Sequence, residues 1–137
     1  MTKNQSGFRT NHLTVTSLLH TTNDIYINAD NGLITEIVFI DLKKAFDSVN
    51  HEMLLRKLDL YGLKGITLQW FKSFLSNRLQ KSQVKMTLSD DALIKCGVPQ
   101  GSILGPLLFL MFINDFPNCL LSSKADLHAD DTQVYSA

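Results

Sequence analysis

Residues 37–41 read Ile-Val-Phe-Ile-Asp, four β-branched or aromatic residues followed by a carboxylate. A short run that is apolar on both faces predicts a buried central β-strand. The strand runs directly into Asp41, and a charge at the end of a buried strand is costly unless it is paired or bound to a metal ion. Asp41 is therefore the first candidate for a functional residue.

Two further carboxylates follow later in the chain. Residues 127–135 read Leu-His-Ala-Asp-Asp-Thr-Gln-Val-Tyr, which predicts strand, tight turn and strand, with Asp130 and Asp131 in the turn. If this hairpin lies beside the first strand, the three carboxylates converge, and their repulsion favours a bound divalent cation. Hard oxygen ligands suit Mg²⁺. Taken alone, an Asp-Asp turn more often stabilises the turn itself, and Asp41 could instead pair with Lys43 or Lys44.

Periodicity and turn residues predict four helices and one hairpin in the rest of the chain. The helices are expected over 13–27, 49–61, 67–76 and from about 106 to 113 or 116, and the hairpin joins 83–87 to 92–95 through a turn at 89–91. Ser48 is the expected cap of the second helix and Gly62 its end. Strands mixed with helices indicate an α/β (α+β) fold, with a small antiparallel sheet packed on helices.

Length and composition limit the class of protein. The chain has 137 residues, of which 45% are hydrophobic, and this excludes a fully disordered protein. The longest apolar run, residues 107–113, is far shorter than the roughly 20 residues of a membrane span. No secretory signal is expected at the N-terminus, and Cys96 and Cys119 lack the spacing of a zinc site or a disulfide scaffold. We therefore expect one intracellular domain, or a piece of one, in the nucleus or the cytoplasm.

Charge is balanced in total and uneven along the chain. The 13 basic and 13 acidic residues give a formal net charge of zero, yet residues 41–85 carry nine basic and four acidic groups, and residues 86–137 carry two basic and six acidic. Two solvated faces that cancel would explain this pattern. A basic stripe that binds a nucleic-acid backbone beside a metal-binding carboxylate cluster would explain it as well.

Three segments occur in an informative order: Phe-Ile-Asp-Leu-Lys-Lys-Ala-Phe-Asp at 39–47, Gly-Val-Pro-Gln-Gly-Ser-Ile-Leu-Gly-Pro at 97–106, and Ala-Asp-Asp-Thr at 129–132. They resemble the first palm motif, the PQG motif and the xADD motif of reverse transcriptases, most closely those of non-LTR retrotransposons of the long interspersed element type. Residues 5–14 resemble the Q-x-G-F-R-x-x-x-S-T segment before this palm, with Leu13 in place of Ser. The resemblance implies an incomplete polymerase palm over 36–137, ending just after the ADD hairpin, and a remnant of the fingers–palm junction over 1–35.

The resemblance also implies a metal site. Asp41, Asp130 and Asp131 would hold two Mg²⁺ ions, or Mn²⁺, and the backbone carbonyl of Leu42 would be able to join them. Two such ions about 3.5–4 Å apart activate a hydroxyl and hold a leaving pyrophosphate. The family usually has Tyr or Phe before Ala-Asp-Asp, whereas this chain has His128, a polar ring beside the expected primer end.

Further roles that the resemblance implies concern the incoming nucleotide. Phe46 would pack under the deoxyribose and exclude a 2′-hydroxyl, although it could equally be a core phenylalanine. Gln100 would lie near the nucleotide, and Gly101 would let the backbone approach it closely. The resemblance places Leu42 among these nucleotide-site residues as well. Arg9 would lie near template or nucleotide, or be an ordinary surface residue.

The implied activity is RNA-directed DNA polymerisation, in which the primer 3′-hydroxyl attacks the α-phosphate of a dNTP. The implied partners are an RNA template, a DNA primer and a dNTP in the full-length enzyme, with no membrane. The isolated chain is expected to be inactive, because finger and thumb regions are missing from it. Two alternatives stay open: a non-catalytic retroelement remnant, and a co-opted nucleic-acid-binding protein that uses the basic region from Lys43 to Lys85.

Overall fold

The computed structural model describes residues 2, 4–8 and 14–137, so Arg9 and Leu13 lie outside the described residues. In chain order the elements are α1 (Thr14–Asp30), β1 (Glu36–Asp41), a 3₁₀ turn (Ala45–Ser48), α2 (His51–Leu60), α3 (Gly65–Leu75), β2 (Arg78–Gln80), β3 (Gln83–Val84), β4 (Thr87–Leu88), β5 (Ala92–Ile94), α4 (Leu104–Ile113), a second 3₁₀ turn (Phe116–Cys119), β6 (Lys124–His128) and β7 (Asp131–Ser136). The chain divides into two compact units, residues 1–43 with 113–137, and residues 44–112.

The first unit contains a three-stranded antiparallel sheet in the order β1-β7-β6, with α1 against β6. Strands β6 and β7 form a hairpin whose loop is Ala129 and Asp130. The predicted mixture of helices with small antiparallel sheets is confirmed. Helix α1 is also confirmed, and it continues to Asp30, three residues beyond its predicted end; Gly32, with φ of 72°, lies in the turn that follows.

Two expectations for this sheet are wrong. Strand β1 lies at the edge of the sheet and is not buried: Val38 is 59% exposed and Phe39 is 77% exposed. Apolar character on both faces predicted a strand correctly, but it does not determine whether other elements cover those faces. Asp131 is the first residue of β7 and not part of the turn, so the turn contains only one of the two adjacent carboxylates.

The second unit contains α2, in which Leu54 and Leu58 are buried. The helix is capped by Asn50, whose side chain accepts a hydrogen bond from the Met53 amide, and not by Ser48. Ser48 instead ends the first 3₁₀ turn, where its hydroxyl donates to the Ala45 carbonyl. Gly62 has a φ of 92° just after α2, which confirms it as the glycine that ends this helix.

The predicted hairpin of 83–87 with 92–95 is wrong in its pairing. Strand β3 pairs with β4, and β5 pairs with β2. Lys85 has a φ of 55°, so the chain reverses inside the segment that was expected to be one strand. A two-residue reversal at Lys85 and Met86 carries none of the Gly or Asn signals from which such turns are predicted.

Helix α4 has three consecutive buried residues, Leu108, Phe109 and Leu110. Pro106 lies in its first turn, as predicted, and the helix ends at Ile113, the earlier of the two predicted ends. Across the described ranges, the chain has no helix with both the length and the apolar character needed to cross a lipid bilayer.

Candidate active site

The end of the three-stranded sheet carries a row of ionisable residues. Asp41 is the register partner of Asp131, and Asp131 is the register partner of His128. Side chains of directly paired residues lie on the same face, about 5 Å apart at their Cβ atoms. Asp41, Asp131 and His128 therefore form one row across β1, β7 and β6.

The carboxylates at this end of the sheet have no ion-pair partner in the part of the chain that the structure describes. Among the described residues, the side chains of Asp41, Asp130 and Asp131 take part in no ion pair. Like charges placed directly opposite each other destabilise a sheet. Two opposed carboxylates without a basic partner fit a hard divalent cation, whose charge would remove this repulsion.

The predicted convergence of three carboxylates is only partly present. The register brings Asp41 and Asp131 together. Asp130 lies in the hairpin loop, one residue before Asp131. Within residues 2, 4–8 and 14–137, no group of three or more His, Cys, Asp or Glu side chains is arranged closely enough to hold a metal ion. The pair and not the triad is the arrangement in this structure.

A cleft of about 450 Å³ opens on the same face of the sheet, beside the beginning of α1. Its lining combines the row with polar and apolar neighbours: Ser17, Leu18, Phe39, Ile40, Asp41, Asp126, His128, Asp131, Thr132 and Gln133. This volume is within the usual range for small-molecule sites. The cleft therefore gives a ligand access to the Asp41–Asp131 pair.

A polar network that the sequence did not indicate lies under α1. The Thr21 hydroxyl donates to Asp126 Oδ2 at 3.0 Å, and Gln133 Nε2 donates to Thr21 Oγ1 at 2.6 Å. Asp126 is two residues before His128 and thus on the same face of β6. The alternation of Lys124, Asp126 and His128 with buried Ala125 and Leu127 is visible in the sequence and could have predicted this polar face.

Two groups of this network have shifted pKa values. Burial, followed by the charges of Asp126 and Asp24, raises the pKa of Tyr135 well above its usual range. A hydrogen bond from Lys124 lowers the pKa of Asp24, and Lys124 Nζ lies 2.6 Å from Asp24 Oδ2. The Tyr135 hydroxyl donates to both carboxylates, at 3.3 Å to Asp24 and 3.4 Å to Asp126. The network thus ties α1 to β6 and β7.

The second unit holds three of the predicted nucleotide-site residues. The Phe46 ring stacks on Phe109 with centroids 4.5 Å apart. Gln100 Nε2 donates to Asp47 Oδ1 at 2.8 Å, and both residues line a cleft of about 590 Å³ together with Arg78 and Gln80. Gly101 is exposed, has a φ of 80°, and nothing lies within 4 Å of the position of an added Cβ. Leu42, a half-buried residue just after β1, belongs to the first unit.

Known proteins similar to this chain were found by comparison. Residues 1–137 match the family model described as "Reverse transcriptase (RNA-dependent DNA polymerase)". The probable RNA-directed DNA polymerase from transposon BS of Drosophila melanogaster is 36% identical over 119 residues, which cover 82% of this chain and 12% of that protein. The RNA-directed DNA polymerase from mobile element jockey of the same species is 34% identical over 139 residues, which cover 96% of this chain and 15% of that protein. The chain therefore spans only a small part of the length of these relatives.

Proposed function

The chain belongs to the reverse transcriptase family, and from this membership we propose that it forms part of the polymerising site of an RNA-directed DNA polymerase of a non-LTR retrotransposon. The proposed reaction joins a dNTP to a primer 3′-hydroxyl on an RNA template. We assign residues 36–137 to a partial palm and residues 1–35 to the fingers–palm junction.

One observation carries this proposal. Asp41 and Asp131 lie directly opposite each other at the end of the sheet, without an ion pair to any described side chain, and they line an open cleft. A purely structural carboxylate pair would be expected to have a counter-charge, because uncompensated like charges across a ladder are destabilising. The arrangement is thus better suited to binding a cation and a phosphate group than to stabilising the fold.

Reverse transcriptases generally use divalent metal ions, and we propose two Mg²⁺ ions here, which Mn²⁺ could replace. Asp41, Asp130 and Asp131 are the proposed ligands, with the backbone carbonyl of Leu42 as a further one. When bound, such ions increase the acidity of the primer hydroxyl and neutralise the leaving pyrophosphate. The chain's own contribution is to hold Asp41 and Asp131 in register on adjacent strands.

We further propose that Phe46, Gln100 and Gly101 contact the incoming nucleotide. Stacking on Phe109 orients the Phe46 ring, which supports its role as a steric limit at the sugar 2′-position. The hydrogen bond to Asp47 orients the Gln100 amide, and the open space around Gly101 admits a ligand close to the backbone.

The test is a chimaera in which this chain replaces its matching segment of the jockey polymerase, to which 96% of the chain aligns. We expect dNTP incorporation on a primed RNA with Mg²⁺, and loss of incorporation on Asp41→Ala, Asp130→Ala or Asp131→Ala. Asp90→Ala is the control, because Asp90 is an exposed loop carboxylate outside the proposed site. A chimaera that remains active with Asp130→Ala would contradict the catalytic assignment.

The same assay addresses the two alternatives. No finding among the described residues or the relatives favours the inactive remnant. We propose that the bare 137-residue chain does not extend a primer, because positioning of the dNTP and primer supplies much of the rate enhancement in such reactions. Incorporation by the bare chain that Asp130→Ala abolishes would contradict this part of the proposal.

A further inference from the structure

A short segment near the N-terminus runs alongside β6. Gln5 forms a parallel bridge with Leu127, the Ser6 amide donates to the Leu127 carbonyl at 2.8 Å, and the Leu127 amide donates to the Asn4 carbonyl at 2.8 Å. Residues 4–6 thus pair with the edge of β6 that faces away from β7. This segment is a fourth strand-like element beside the ADD hairpin.

Gln5 is completely buried, with 0% exposure, and its side-chain amide binds the hairpin loop. Gln5 Oε1 accepts a hydrogen bond from the Ala129 amide at 3.0 Å and a second from the Gly7 amide at 2.7 Å. Gln5 Nε2 donates to the Ala129 carbonyl at 3.4 Å. One side chain therefore contacts both peptide groups of Ala129.

Ala129 has a backbone conformation that its side chain disfavours. Its φ is 59°, in the left-handed region. In a two-residue hairpin loop, a positive φ at the first loop residue alone is the type II′ pattern, which normally has glycine at that position. Such strained residues persist only where surrounding contacts hold them, and they cluster at functional sites.

The approach of the segment to the loop is close enough to require glycine at position 7. A Cβ added to Gly7 would lie 2.2 Å from the Ala129 nitrogen and 2.8 Å from its Cα. The Gly7 amide donates to Gln5 Oε1 at 2.7 Å. Gly7 and Gln5 therefore contact the same loop residue and each other. Contact at Ala129 is therefore specific in both shape and hydrogen bonding.

We propose that Gln5 is a positioning residue for the carboxylates, an inference that rests on the proposed function. By holding both peptide groups of Ala129, the Gln5 amide fixes the loop conformation from which Asp130 projects and at which Asp131 enters β7. Without the Gln5 side chain, the Ala129 amide would be buried without an acceptor, and Ala129 would adopt a negative φ. The carboxylates then lose their position relative to Asp41.

The test compares two amide-to-apolar substitutions in the 137-residue chain. Gln5→Met removes the hydrogen bonds to Ala129 and keeps the side-chain volume. Asn4→Leu is the matched control, because Asn4 Nδ2 donates to the Ala125 carbonyl at 2.6 Å, on the same strand and away from the loop. Hydrogen exchange resolved to single amides by mass spectrometry, and Mn²⁺ binding followed by electron paramagnetic resonance, are measured for each variant.

We expect Gln5→Met to accelerate exchange of the Ala129 amide at least about 10-fold while the Leu127 amide stays protected. We expect it to weaken Mn²⁺ binding about 10-fold or more, the usual effect of losing a residue that orients a metal ligand. Asn4→Leu should leave both quantities within about 2-fold of the parent, since the Ala129 contacts remain. Equal effects of the two variants, or an unchanged Ala129 amide in a folded Gln5→Met chain, would overturn the proposal.

Gln5→Glu covers the case in which Gln5→Met does not fold. Burial favours the neutral form of a glutamate at this position, which accepts from the Ala129 and Gly7 amides through its carbonyl oxygen and donates to the Ala129 carbonyl through its hydroxyl. The Ala129 amide should therefore stay protected, and loss of that protection in a folded Gln5→Glu chain would also overturn the proposal. A parent chain that binds no Mn²⁺ while the exchange results are as expected would contradict the proposed metal site. This result would support the role of Gln5 in fixing the conformation of Ala129. The two inferences therefore fail separately.

Discussion

Asp41 and Asp131 are register partners across β1 and β7, so two carboxylates lie on one face of the sheet at its end. Directly opposed like charges destabilise a sheet. A cation bound between them removes this cost and stabilises the folded state according to its concentration and affinity. If the pair is the proposed metal site, stability and metal binding are coupled there, and one substitution should change both.

We predict that Asp41→Asn stabilises the metal-free chain and abolishes most of its response to metal. Removal of one charge of the pair should raise the free energy of unfolding by about 0.5 kcal/mol in a chelating buffer. Addition of Mg²⁺ or Mn²⁺ should raise the unfolding free energy of the parent and have little effect on the variant. Urea unfolding with and without metal measures both effects.

Asp90→Asn is the control for this prediction, because it changes the net charge equally at an exposed loop position. We expect it to retain the metal response of the parent. Destabilisation of the metal-free chain by Asp41→Asn, or an undiminished metal response, would show that the pair is not a cation site.

A second prediction concerns His128, whose Nδ1 is buried and has no hydrogen-bond partner in the described part of the chain. A buried polar atom without a partner costs about 1–3 kcal/mol, and phenylalanine would keep a ring without that atom. His128→Phe should therefore raise the free energy of unfolding, by up to about 1 kcal/mol. His51→Phe is the contrasting variant, because His51 Nε2 lies 2.7 Å from the Gly97 carbonyl. Urea unfolding should show opposite signs for the two substitutions, and equal destabilisation would contradict the prediction.

The third prediction is alkaline sensitivity caused by Tyr135. Burial and the nearby carboxylates of Asp126 and Asp24 raise the pKa of Tyr135 in the folded state, whereas an unfolded tyrosine ionises near pH 10. The folded state therefore holds this proton more tightly, so its contribution to stability is complete below about pH 10 and declines as the pH rises toward the folded pKa. In Tyr135→Phe, the free energy of unfolding should decrease less steeply above pH 10 than it does in the parent. Tyr26→Phe, at an exposed position of α1, should keep the fall seen in the parent.

Local features of the fold were predictable where one residue's own chemistry determines the backbone. Gly62 ends α2 because glycine adopts a positive φ without strain, and Pro106 fits the first turn of α4 because that turn does not need its missing amide. The same reasoning failed for the cap of α2, which was predicted to be Ser48 and is Asn50. Both residue types are good caps, and the two are close together in sequence. Which of them caps depends on the 3₁₀ turn that precedes α2.

Long-range relationships were not predictable from periodicity. Gln5 and Ala129 are 124 residues apart, and their contact requires the N-terminal segment to pair with β6. The sequence predicted that Asp41 and Asp131 lie near each other. It did not predict that they are register partners, because the register depends on where the hairpin loop closes. Phe39 shows the same limit, since its apolar side chain predicts a strand and yet remains 77% exposed.

The last prediction concerns Phe46 as the residue that discriminates between dNTP and rNTP. The Phe46 carbonyl accepts a hydrogen bond from the Val98 amide at 2.8 Å, and its ring stacks on Phe109, so backbone and side chain are both held. In the proposed role, a ring fixed in this way would limit the space at the sugar 2′-position, and a smaller side chain would remove that limit. In the jockey chimaera, Phe46→Val should raise the ratio of kcat/KM for rNTP to that for dNTP about 10-fold or more.

Phe112→Val is the matched control for this substitution, because Phe112 is a half-buried phenylalanine of α4 in the same unit. Both substitutions should cost about 1–3 kcal/mol of stability through lost burial and aromatic contacts. Only Phe46→Val should change the nucleotide preference, because a general loosening of the fold lowers kcat/KM for both nucleotides alike. If the rNTP-to-dNTP ratio is unchanged in Phe46→Val, or rises equally in Phe112→Val, then Phe46 is a core residue and does not limit the space at the sugar.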